Sequence, residues 1–198
     1  MSTTSFVRTL GRIALATGLS IPCAAAIAQD NEFAAPLTEL ANVKLREIAG
    51  NSAIIAAVAA QNAVTAGYDQ AMIDALDQQW RAEVSAAAKP LIDATLANEA
   101  SKWLVGVQAE AGGLFTEIFV MDAKGLNVAQ STVTSDYWQG DEDKFTASFG
   151  AGAGAVHLGE IEQDESTQAF QSQVSITLVD AAGVPIGALT AGIDLSMI

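Results

Sequence analysis

Apolar positions follow two different periods along this chain, and the change falls near Gly112-Gly113. From Pro36 onward, Leu37, Leu40, Ala41, Ile48, Ile55, Val58 and Asn62 share one face of a 3.6-residue helix, with Pro36 suited to its first turn. Lys44 lies on the same face, so either it snorkels or the helix bends. Gly50-Asn51-Ser52 is the expected bend, with Asn51 or Ser52 capping the second helical stretch. Unbroken, Leu37 to Thr65 would be a helix of about 45 Å. A turn at Ala66-Gly67-Tyr68 leads to Asp69 as the next N-cap, and Met72, Ile73, Leu76, Trp80 and Val84 form the next stripe. Asp77 and Arg81 flank that stripe as an i,i+4 pair. Pro90 opens a third helical stretch carrying Leu91, Ile92, Leu96, Trp103 and Val107, which Gly112-Gly113 ends.

After Gly113 the period falls to two. Phe115, Glu117, Phe119 and Met121 alternate with Thr116, Ile118 and Val120, and Val174, Ile176 and Leu178 alternate with Gln173, Ser175 and Thr177. Val156-His157-Leu158 is strand-like, and Ile186 to Leu195 reads as a last strand. Val120-Met121-Asp122-Ala123-Lys124-Gly125-Leu126 matches Leu178-Val179-Asp180-Ala181-Ala182-Gly183-Val184, each placing Asp and then Gly between apolar runs. Asp folds onto its own backbone and Gly takes positive φ, so both stretches read as β-hairpins. The pattern predicts an α+β domain, helical over 36–111 and sheet-rich over 114–195, with one antiparallel sheet of about five strands.

Residues 1–28 have the pattern of a secretory signal. Arg8 and Arg12 precede the apolar run Ile13–Ile21, Pro22 breaks it, and Ala26-Ile27-Ala28 is an A-x-A cleavage site. Gly18 and Pro22 make the run a poor membrane anchor, and Ser20-Ile21-Pro22 makes Cys23 a poor acylation site. Cleavage after Ala28 removes two of nine basic side chains and none of 23 acidic ones, so the charge moves from −14 to −16 over 170 residues. It also removes the single cysteine, and with it disulfide and thiol chemistry. Export to a bacterial periplasm is the expectation. So acidic a chain suits neither nucleic acid nor anionic membrane. A hydrophobic fraction of 51% supports a real core, and 39 alanines favour the helical half.

One histidine and one cysteine leave little room for a zinc site or Cys/His catalysis, and no cofactor motif is present. Gly150-Ala151-Gly152-Ala153-Gly154-Ala155 neither follows a strand nor opens a helix, so it reads as a connector and not as a dinucleotide loop. Neither Asp136–Asp143 nor Glu160–Glu165 fits a calcium loop. Glu160, Glu162, Asp164 and Glu165 read as a solvated face or edge protection. His157, alone in a β-like run, reads as structural. The unusual stretch is Thr134-Ser135-Asp136-Tyr137-Trp138-Gln139-Gly140-Asp141-Glu142-Asp143, two aromatics between carboxylates. Tyr137, Trp138, Asp136 and Asp141 could frame a pocket for a small polar or cationic metabolite. The competing reading has Trp138 plugging the core while Asp141-Glu142-Asp143 caps a helix near Lys144. No pair of acids stands out for glycosidase-type hydrolysis.

With these residues in view, the chain resembles the periplasmic Cache, or PDC, sensor domains. The matching pieces are Asn51–Val58, Leu76-Asp77-Gln78-Gln79-Trp80-Arg81, Ile118–Gly125, Thr134–Asp141 and Val179–Leu189, together covering about 36–195. The resemblance implies a PAS-like antiparallel sheet behind a long N-terminal helix, with a ligand pocket on one face roofed by the segment after the first hairpin. It implies binding of a small molecule without turnover. Tyr137, Trp138 and Asp141 match the loop that closes the pocket. Phe119 and Met121, or their neighbours of opposite parity, would line its floor, joined by Ser131, Ser175 and Thr190. Amino-acid-binding members carry an Arg near the pocket aromatics, and no Arg follows Arg81 here, so an amine, a cation or an uncharged metabolite is favoured. A free-standing domain would report through a separate membrane-bound signalling partner, and the N-terminal helix suits a homodimer. A ligand-less interaction module and a carboxylate-based hydrolase are the alternatives.

Overall fold

A computed structural model describes residues 32–163 and 169–198. The signal at 1–28, and Asp164 and Glu165, lie outside the described residues. Helical residues come first: α1 (Ala34–Leu40), a π-helical turn (Ala41–Leu45), α2 (Arg46–Ala49), α3 (Ser52–Thr65), α4 (Gln70–Ser85), α5 (Pro90–Ala97) and α6 (Glu99–Glu110). The strands are β1 (Phe115–Asp122), β2 (Asn127–Gln130), β3 (Val156–Gln163), β4 (Phe170–Val179) and β5 (Pro185–Asp194), with the short α7 (Asp143–Thr146) between β2 and β3. The sheet is antiparallel with order β2-β1-β5-β4-β3, the α+β, PAS-like arrangement expected from the sequence.

The N-terminal helix divides at Gly50-Asn51, where the axis turns by 72°. Asn51 leaves the helical region and its side chain accepts the Ala53 amide at 2.8 Å, so it is the cap of α3. The break resets the helical phase, so Ile54 and Val58 are buried and Ile55 is only half-buried. The π-helical turn acts similarly: Leu45 enters the core and Lys44 stays exposed, without snorkelling. Among the described residues, no single helix is long and apolar enough to cross a membrane.

Asp69 caps α4 as expected, accepting the Met72 amide. Of the stripe on α4, Ile73 and Trp80 are buried, but Met72 and Val84 are exposed and Glu83 is turned inward. The cause is α5, whose Pro90 start leaves the Leu91 and Ile92 amides without helical partners. Both donate to Glu83 Oε2, at 2.8 and 3.0 Å. The third helical stretch is two helices, because Asn98 breaks it. Its side chain caps α6 through the Ser101 amide and also donates to the Val128 carbonyl.

Both hairpins form, with the same turn. In each, the Asp amide bonds the carbonyl four residues on and the Gly amide bonds the Asp carbonyl. Asp122 Oδ1 accepts the Lys124 and Leu126 amides, as Asp180 Oδ1 accepts those of Ala182 and Val184. Gly125 and Gly183 hold φ of 81° and 79°. Among the described residues only the first of these turns is bonded to a helix, since the Asp122 Oδ2 accepts from Thr65 and Gln61 of α3. The main core lies between the helices and one sheet face, where Ile118, Val120, Ile176, Leu189 and Ile193 meet Leu37, Leu45, Ile54, Val58 and Leu104. Each such side chain contributes roughly 1.5–3 kcal/mol of burial.

Candidate functional site

The opposite, outer face of the sheet carries the other parity. Strand alternation sends Ile118, Val120, Ile176, Leu189 and Ala191 to the helices, so Phe119, Met121, Ser175 and Thr190 point outward. Three of the four lie in one row across the sheet: Phe119 is opposite Thr190, Thr190 is opposite Ser175, and Ser175 is opposite His157. The Ser175 and Thr190 hydroxyls are bonded to each other at 2.8 Å and fully buried. Gln130 extends the row beyond Phe119, and Asn127 stands opposite Met121. Asn127 Oδ1 and Gln130 Nε2 are buried without a hydrogen-bond partner among the described residues. Ser131 is engaged at the strand end, its hydroxyl accepting the Ile118 amide.

The cover over this face comes from residues 140–155. Phe145 and Phe149 stack at 5.0 Å and pack on Phe119, Met121 and Ala188. Thr177 fastens the cover from below, donating to the carbonyls of Ser148 and Gly152. The expected connector at Gly150–Ala155 includes a single 3-10 turn and two glycines at positive φ, Gly152 and Gly154. Helix α7 begins where the acidic run ends. Glu142 occupies its N-cap position but makes no side-chain cap bond.

Beside the cover an open groove of about 650 Å³ runs between α7 and the β3–β4 edge. Asp141, Glu142, Asp143, Glu160 and Glu162 border it, with Gln173, Ser172 and His157 along the strands. Glu160 and Glu162 are exposed on the edge strand β3. Lys144 is the cation in this wall. Its Nζ sits 2.9 Å from Glu142, bonds Gln139 and lies 5.6 Å above the Phe119 ring. Among the described residues no group of three or more His, Cys, Asp or Glu is placed to hold a metal.

The remaining residues singled out in the sequence lie on the other side of the loop. Tyr137 stacks on Trp80 at 5.1 Å in a second cluster with Ile73, Ile92 and Leu126. Trp138 packs against that cluster and donates from Nε1 to the Lys124 carbonyl. Residues 137–139 run beside the first hairpin: Asn127 donates to the Tyr137 carbonyl and Gln139 to the Gly125 carbonyl. Gly125 and Gly140 are needed where they cross, because a Cβ on Gly125 would sit 2.5 Å from the Gly140 Cα. Asp136 accepts from Ser135, Gln139 and Arg81. Arg81 joins Asp77 at 2.6 Å and Asp136 at 3.1 Å, so an arginine does stand beside the aromatics, held by two carboxylates. Of Asp136, Tyr137, Trp138 and Asp141, Asp141 is the one that borders the groove.

Asp77 organises this junction. Its Oδ1 accepts the amides of both Tyr137 and Trp138, at 2.8 and 3.1 Å. Burial by itself raises its pKa, but the Arg81 bond and the two amides outweigh this and hold it below the usual carboxylate range. Trp80 adds a bond from Nε1 to the Thr134 carbonyl. The i,i+4 pair was legible in the sequence, but its hold on the loop 60 residues away was not. The role of Glu83 has no local sequence signal beyond Pro90.

No family model matches the chain, and no curated protein matches it in sequence. Among solved structures, the sensor domain of the V. cholerae histidine kinase DctB is similar at 16% identity and a TM-score of 0.39, covering 83% of this chain and 58% of that one. The ligand-binding domain of the Pseudomonas aeruginosa amino acid chemoreceptor PctC, in complex with GABA, is similar at 15% identity and 0.40, covering 77% and 60%. That of the Pseudomonas fluorescens chemoreceptor CtaA, in complex with L-alanine, stands at 12% and 0.37, covering 78% and 60%. All three are sensor or ligand-binding domains of a histidine kinase or of chemoreceptors. The chain spans about three fifths of their length.

Proposed function

We propose that the chain is an exported, small-molecule-binding sensor domain that captures an amine or other small cation without transforming it and reports through a membrane-bound partner. The ligand lies in the groove between α7 and the β3–β4 edge. Its ammonium faces Asp141, Glu142 and Asp143, and its body lies toward the row of Phe119, Thr190 and Ser175. Met121 supports that floor under Phe145, and Ser131 fixes the strand end. Tyr137, Trp138 and Asp136 hold the loop from behind. The observation that carries this reading is the charge of the groove: five carboxylates face one lysine, and that lysine is already paired with Glu142. Asn127 and Gln130 add an unpaired acceptor and donor on the same face.

Calorimetry on the full chain with putrescine, agmatine, GABA and succinate tests it. Putrescine and agmatine are expected to bind, succinate is not, and Asp141→Asn together with Glu142→Gln weakens the amines about tenfold or more. Equal binding of succinate, or no binding of any amine, would sink the reading. The second outcome leaves the ligand-less interaction module, which the Phe145–Phe149 packing on Phe119 favours.

A further inference from the structure

A second concavity lies on the helical side of the sheet, away from the acidic groove. It has a volume of about 450 Å³ and runs between α3 and the start of α5 over β2. Its walls are hydrocarbon: Ala57, Ala60 and Val64 of α3, Leu76 of α4, Leu91 of α5 and Val128 of β2. Val64 is 64% exposed, unusual for a valine beside so many other apolar groups.

The polar groups at its floor are mostly spoken for. Gln61 Nε2 donates to Asp122 and to the carbonyls of Leu126 and Asn127, Thr65 donates to Asp122, and Asn98 donates to the Val128 carbonyl. The exceptions are two phenols. Tyr137 and Tyr68 line this concavity, and neither hydroxyl makes a hydrogen bond among the described residues. Tyr137 is only 7% exposed. Its hydroxyl is nevertheless not sealed from solvent, so it is free to bond a molecule that enters the concavity. Burial, followed by the charge of Asp122 and by Tyr68, pushes the Tyr137 hydroxyl well above the ordinary phenol range, so it keeps its proton and offers a donor. Behind it Asp122 is fully buried, with both carboxylate oxygens engaged. An anion would meet that charge, and a cation would find no free carboxylate in the lining.

We propose that this concavity is a second binding site, for a small uncharged molecule of mostly hydrocarbon character whose single carbonyl or hydroxyl oxygen accepts the Tyr137 hydrogen bond. The walls take the apolar body and the phenol fixes its one polar atom, the usual division of labour in small-molecule sites. Trp80, stacked on Tyr137, makes occupancy visible in tryptophan fluorescence.

The test titrates octanone, octanol, octanoate and octylamine into the full chain, monitored by fluorescence and calorimetry. Octanone and octanol are expected to saturate a single site, with octanoate and octylamine at least tenfold weaker. Tyr137→Phe keeps the ring on Trp80 and is expected to weaken octanone about tenfold. Ala60→Leu, on the exposed face of α3, fills the concavity and is expected to abolish binding without loss of helix. Asp141→Asn leaves octanone affinity unchanged, so this site and the acidic groove fail separately. The proposal is overturned if octanone does not bind, if Tyr137→Phe binds it as tightly, or if octanoate binds equally well. It is also overturned if sedimentation shows a dimer that Ala60→Leu dissociates and octanone does not, since a second copy would then cover the face.

Discussion

Asp77 binds a guanidinium on one oxygen and two backbone amides on the other, so a single carboxylate ties α4 to the Tyr137-Trp138 step. Asp77→Asn keeps the shape but loses the charge. It is expected to cost about 1–2 kcal/mol in a urea titration, a modest figure because the site is partly solvated. The pH dependence has a definite sign. The folded pKa is depressed, so Asp77 contributes fully above the ordinary carboxylate range and loses that contribution as pH falls through its lower folded value. Wild type and Asp77→Asn should therefore converge in stability on acidification, and a constant gap between their acid unfolding curves would contradict this role. At this scale the sequence was partly legible. The crowding of aromatics and acids at 136–143 marked the loop, and the Asp77–Arg81 spacing marked an ion pair. Which way Tyr137 points was not legible, because that depends on Trp80, 57 positions earlier in the chain, offering its ring as the partner.

Elements whose defining residues are local were the readable ones. Both Asp-Gly turns, the Asp69 cap and the Gly112-Gly113 stop act within four residues of themselves, and all appear where expected. The bend at Asn51 belongs with them. Asn51→Ala is expected to cost about 1 kcal/mol of stability, read from the midpoint of denaturant unfolding, while Ser52→Ala should cost less because Asn51 is the residue that caps. Misread elements have causes at longer range. A π-helical turn shifted Lys44 outward, the broken axis changed Ile55 for Ile54, and α5 drew Glu83 into a buried position that no periodicity assigns to an acid. Phe145 on α7 is a further case, its short helix owing its place to the apolar strip of Phe119, Met121 and Ala188. Phe145→Ala should cost about 3 kcal/mol by equilibrium unfolding, unless the site collapses around the loss.

For the molecule as a whole, the excess of acid disfavours nucleic acid and anionic membrane alike. The structure gives part of it an address, around the groove between α7 and the β3–β4 edge, where attraction of an amine would be largely through solvent-exposed charge. Amine affinity is accordingly expected to fall several-fold between low salt and 0.5 M salt, whereas octanone affinity at the helical-side concavity should not fall. A parallel salt response of the two probes in calorimetry would argue against two separate sites.

The covering segment has one further property, and it is mechanical. At its front, residues 137 and 138 are pinned by Asp77. At its back, Ser148 and Gly152 are stitched to Thr177, and the Gly154 carbonyl is held by Arg46 of α2. A strip clamped at both ends cannot swing like a door. It can only arch, and the span between the clamps, from Gly140 to Ala147, rests on Phe119 through Lys144 and Phe145. Any molecule that wedges under that arch loads its two abutments, α4 at one end and the N-terminal helix at the other.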